Sequence, residues 1–91
     1  MNVKEAVAQA KHEILDLFAD EKLSDIGLEE VELDDQGNEW KVTIGFSRPW
    51  DEPRNSFATL AGSGARRSYK IVSISNETER AISIKNREVK N

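Results

Sequence analysis

Between Trp40 and Ser47 the chain alternates without a break: Trp40, Val42, Ile44 and Phe46 are large and apolar, whereas Lys41, Thr43, Gly45 and Ser47 are polar or small. A period of two sends all four large groups to one face of a strand, so the chain must build a sheet and cover that face. Gly45 inside the run predicts a bulge or the close approach of another backbone, and its missing side chain lowers strand stability.

Other strands can be placed around this one. In "LEEVELDD", Val31 and Leu33 alternate with Glu30, Glu32 and Asp34, with Leu28 just upstream, a half-buried pattern. It ends at "DDQGN", where Asp34, Asp35, Gly37 and Asn38 suit a tight hairpin. A third strand spans roughly Arg67 to Ser75, with Tyr69 and Ile71 claiming one face and Val72 and Ile74 the other, so either it bulges or both its faces are covered. After "SNETER", Arg80, Ile82 and Ile84 alternate with Ala81, Ser83 and Lys85 in a last strand that fades into "NREVKN".

The cover for the sheet lies at the start of the chain. Val3, Val7, Ala10, Ile14 and Leu17 recur at spacings of four and three, flanked by Ala6 and Phe18, as in a helix with one buried face. Asn2 and Glu5 have the spacing of a capping box, placing the start near Val3. The helix should end between Phe18 and Leu23, with Gly27 a candidate left-handed stop. Short connections favour antiparallel neighbours, which predicts an α+β domain of order α-β-β-β-β, a four-stranded antiparallel meander with the helix across its apolar face.

Composition bounds this further. Ninety-one residues suit a single domain spanning 1–91, and 37% apolar against 33% charged residues predicts a thin core. With no cysteine, disulfide frameworks, thiolate metal sites and cysteine nucleophiles are excluded. "MNVKEAVAQAKHEI" is too polar for a signal-peptide core, and no run approaches the roughly 18 apolar residues of a membrane span, so a cytoplasmic protein without membrane contact is expected. Residues 1–39 hold 3 Lys/Arg against 12 Asp/Glu, whereas residues 40–91 hold 10 against 5. Folding should let the halves neutralise each other; the alternative is a basic sheet face that meets an acidic partner.

Three stretches, "KEAVAQAKHEI", "GLEEVELDDQGNEWKVTIGF" with its tryptophan opening a strand, and "YKIVSISNETERAISI", together resemble the PepSY-like pattern of a helix, a hairpin and a closing hairpin. The resemblance covers most of the chain outside its longest loop. It implies a non-catalytic interaction or regulatory domain, in a family sometimes associated with protease control, and carries no catalytic residues over. A second resemblance lies in the Pro49-Trp50 pair, which is similar to a hairpin of the cystatins and implies a protease inhibitor presenting loops from a helix-wrapped sheet.

Little in the chain reads as catalytic chemistry. His12, the only histidine, falls about 200° around the helix from Ala10 and Ile14, on the solvated side, so neither a transition-metal site nor a Ser-His-acid triad is expected. Glu29, Glu30, Glu32, Asp34 and Asp35 do not read as a carboxylate site: Glu30, Glu32 and Asp34 share the solvent face of a strand, with Lys41 across the hairpin relieving their repulsion. Asn76-Glu77-Thr78 matches a glycosylation acceptor but sits in a turn whose chemistry explains it. No cofactor is expected.

What remains is "SRPWDEPRNSFATLAGSGARRS", a connection of about 20 residues, with the loop proper at about 48–66. Pro49 and Pro53 stiffen its first part, Gly62 and Gly64 loosen its last, and Trp50, Phe57 and Leu60 are apolar groups that a solvated linker rarely carries. Aromatics with arginines are common interface anchors. The expected function is therefore a small, bacterial-type, non-catalytic module that binds a protein partner, or a second copy of itself as a homodimer, through this loop and the adjacent sheet. Its expected contact residues are Arg48, Trp50, Arg54, Phe57, Leu60, Arg66, Arg67 and Tyr69. Ranked below it are cystatin-like inhibition and the binding of phosphate or nucleic acid near Arg66 and Arg67; a pI near 5.0 opposes general polyanion binding.

Overall fold

The computed structural model describes residues 1–48 and 67–87 and shows the expected α+β architecture. One helix, α1 (Val3–Leu17), precedes four strands: β1 (Ser24–Asp34), β2 (Glu39–Ser47), β3 (Ser68–Ser75) and β4 (Ala81–Asn86). They form one antiparallel sheet in the order β1-β2-β3-β4.

At the start of α1, the Glu5 amide donates to Asn2 Oδ1 and the Asn2 amide donates to Glu5 Oε1, both at 2.9 Å, so two amides that the helix cannot satisfy internally find partners. Ala6, Ala10 and Ile14 form its fully buried stripe. Beneath it lie Val42, Ile44 and Phe46 of β2 with Val72 and Ile74 of β3, all buried. Phe18 ends the helix with its amide bonded to the Ile14 carbonyl and packs on Phe46, ring centroids 5.8 Å apart.

The register resolves the two-faced third strand. Trp40 lies opposite Ile74, Val42 opposite Val72 and Gly45 opposite Tyr69, with no shift along the pairing. Val72 and Ile74 therefore face the helix, whereas Tyr69 and Ile71 share the other face with Lys41 and Thr43.

Two bulges change what simple alternation predicts. In β1 the pairing shifts between Leu28 and Glu30, so the extra Glu29 lets Leu28 join Val31 and Leu33 on the helix side. In β4 the shift between Ser73 and Ile74 of β3 leaves Ile82 as the extra residue, which puts Ala81 with Ile84 on the core side and leaves Ile82 58% exposed. The expected alternation of Ile82 with Ile84 is thus corrected. Gly27 does not stop the helix either. It lies within β1 opposite Gly45, and the positive φ in this region belongs to Asp25 (53°), at a second irregularity of the same strand.

Both ends of the sheet carry ties between strands distant in sequence. At one, Trp40 Nε1 donates to Asn76 Oδ1 (3.0 Å), and Asn76 donates its side-chain amide to Asn38 Oδ1 (3.2 Å) and its backbone amide to the Asn38 carbonyl (3.0 Å), joining the two hairpin turns. At the other, Arg67 pairs with Glu29 (3.6 Å) and donates to the Asp25 carbonyl (2.9 Å), reaching from the start of β3 across Gly45 to β1.

Candidate interaction surface

Among the described residues one helix, α1, lies over one face of the sheet, and on the opposite face β2–β4 form a shallow groove of about 610 Å3. Alternation builds it directly. Ile71 and Ser73 of β3 make the floor, Glu39 and Lys41 of β2 one wall, and Ile82, Ser83, Lys85 and Arg87 of and beyond β4 the other. The β4 bulge turns Ile82 toward this side, giving the groove a large exposed apolar group that strict alternation would have sent to the core. Ser73 and Ser83 stand opposite each other and offer hydroxyls at its base.

The cations Lys41, Lys85 and Arg87 and the acid Glu39 line the groove. Arg87 stacks on Tyr69, its guanidinium carbon 4.1 Å from the ring centroid, an arrangement that orders a long side chain without removing its charge. Lys41 lies opposite Glu32 and within 3.5 Å of Asp34, so the hairpin acids do have the expected cation across the strand pair. Amide hydrogen bonds from Gly37, reinforced by Lys41, hold the Asp34 carboxyl below the usual carboxylate range even though partial desolvation opposes them. The sequence halves are joined as expected: Lys41–Asp34, Arg48–Glu21 and Arg67–Glu29 each link a cation of the second half to an acid of the first.

The expected contact residues divide between the two faces. Tyr69 lies on the open face. Arg67 is on the same side, but its guanidinium is engaged by Glu29 and the Asp25 carbonyl. Arg48 lies on the helix side, its guanidinium carbon 5.1 Å from the Phe18 centroid and 5.4 Å from that of Phe46, with Glu21 at 3.7 Å, so it closes one end of the core. Lys70 adds a second cation there, and desolvation with repulsion from Arg48 pushes its pKa down. Trp50, Arg54, Phe57, Leu60 and Arg66 lie outside the described residues.

Sequence reasoning missed Ile82, Lys85 and Arg87. The signal for a second apolar face was present in Tyr69 and Ile71, whereas the turn of Ile82 depends on a bulge fixed by the pairing of β3 with β4. His12 is exposed, as its helical position predicted. Asn76 is half-buried with its amide nitrogen bonded to Asn38, which gives that residue a structural task. Among the described residues no group of three His, Asp or Glu side chains is placed to hold a metal ion, and no described helix is long and apolar enough to cross a membrane.

No family model matches this chain, and no curated protein or solved structure is similar to it at a significant level.

Proposed function

We propose that this chain is a non-catalytic interaction module, with the cytoplasm as its expected setting, which holds a protein partner on the open face of β2–β4. One observation carries the reading: the sheet face opposite α1 presents exposed Ile82 and half-buried Ile71 within a rim where Lys41, Lys85 and Arg87 outnumber Glu39. An apolar centre with a charged rim is the usual anatomy of a protein contact. The sign of the rim favours a partner segment that is acidic at its edges. The 48–66 connection joins the two strands that meet in this groove, so Trp50 and Phe57 are proposed as further anchors of the same contact. The PepSY-like order of elements, with its implied regulatory role, points the same way.

The test is a photoreactive residue placed at Ile82 in cells of the native host, with the same residue at exposed His12 as control. A defined adduct with another protein is expected from position 82 and not from position 12, and it should weaken when Tyr69→Ala is introduced. Equal labelling from both positions, or none from position 82, would rule the reading out.

A further inference from the structure

Among the described residues β1 and β4 form the two edges of the sheet, and their charges are opposite. From Ser24 to Asp35, β1 and its flank carry Asp25, Glu29, Glu30, Glu32, Asp34 and Asp35 with no cation. From Arg80 to Arg87, β4 and its flanks carry Arg80, Lys85 and Arg87 with no acid. Charges on an edge strand normally keep a second molecule away. Here they repel only like edges, because β1 against β1 sets acid beside acid and β4 against β4 sets cation beside cation.

An even number of strands makes the unlike pairing geometrically open. In a four-stranded meander β1 and β4 run antiparallel, so a second molecule set beside the first can add its β1 to the free side of β4 with both helices on the same face. The backbone directions also agree. The Arg87 amide donates inward to the Tyr69 carbonyl at 3.1 Å, so Ile84 and Asn86, one residue out of phase, turn their amides and carbonyls away from β3. Carried through the register to the other edge, the outward groups of β1 are those of Val31 and Leu33.

We infer that the chain associates head to tail with further copies of itself, β1 of one molecule pairing antiparallel with β4 of the next. One register satisfies both faces of the sheet. Ile84 meets Leu33 and Asn86 meets Val31 as hydrogen-bonded pairs on the helix side. Lys85 then meets Glu32, Arg87 meets Glu30 and Ser83 meets Asp34 as the closer, non-hydrogen-bonded pairs on the open side. All these positions lie in the unbulged parts of their strands. Leu33, 41% exposed in the isolated molecule, gains an apolar neighbour. The contact is heterologous, so it propagates into chains or closes into a ring. It joins the edge backbones, although Lys85 and Arg87 also rim the groove of the open face, and it stands apart from the proposed function because its test needs no partner.

The experiment is sedimentation of the purified full chain, with concentration raised to about 1 mM, where even millimolar dissociation constants register. The wild-type mass should rise with concentration at low salt and fall back at about 0.5 M salt, where exposed pairs are screened. Glu32→Lys and Lys85→Glu should each weaken association at least about tenfold, and an equimolar mixture of the two variants should recover it, since every edge then finds its opposite. Loss of folding would not be reversed by mixing, and circular dichroism of each variant checks it directly. A wild type that stays monomeric, an association indifferent to salt, or a mixture no heavier than its components overturns the inference, whatever else the β4 edge is found to bind.

Discussion

A side chain at Gly45 would meet the Glu29–Arg67 ion pair. A Cβ there would stand 2.7 Å from Glu29 Oε1 and 2.9 Å from Arg67 Nη2. Both obstacles are ends of flexible side chains, so Gly45→Ala should cost only about 1 kcal/mol, as the pair is displaced. In a Glu29→Ala background the same change should cost little or nothing, because alanine is the better strand residue. A double-mutant cycle by urea unfolding measures this, and additive costs would contradict the account. Asp34 supplies a second prediction. Its carboxyl titrates below the ordinary value of about 3.9 because the charged form accepts the Gly37 amide and faces Lys41. A lowered folded-state pKa contributes stability that is complete above the unfolded value and disappears as pH falls through the lowered one. Wild type should therefore exceed Asp34→Asn in stability at neutral pH, with the gap closing only below about pH 4. A gap that stays constant across urea unfolding curves at pH 3 to 7 would count against it.

Among the elements, α1 depends on its first turn, because its last turn carries no cation to oppose the dipole. Asn2→Ala removes the side-chain acceptor for the Glu5 amide and should cost about 1 kcal/mol, read as a lower denaturation midpoint with unchanged m-value. That capping box was legible from two residues three apart, and β2 from strict alternation, because in both cases local sequence contains the whole cause. The bulges were not legible. Leu28 and Ile82 reach their faces only because one extra residue in each strand resets the parity, and a partner strand decides where that residue goes. The same limit applies to the open face. Tyr69 and Ile71 announced a second apolar face, but the stacking of Arg87 on Tyr69 needed β4 placed beside β3. Arg48 carried no sign in the sequence that it would cap Phe18 and Phe46 from the helix side.

At the scale of the molecule, the described residues place one helix on one sheet with a thin core between them, Ile14 and Phe46 among its largest fully buried side chains. Ile14→Ala should cost about 2–5 kcal/mol, a large part of the roughly 5–14 kcal/mol expected for a domain of this size. The melting temperature should fall by at least about 10 °C, followed by circular dichroism, and a fall of only a degree or two would mean that the helix is not the principal cover. The ties at the two ends of the sheet bear on how such a molecule comes apart. Arg67 bridges β3 to β1 over β2, and Asn76 fastens one hairpin turn to the other. A panel laced this way cannot lose its first slat alone. Peeling β1 means unthreading a lace anchored two slats away, so slow-exchanging amides of β1, β2 and β3 should release together rather than in sequence from that rim.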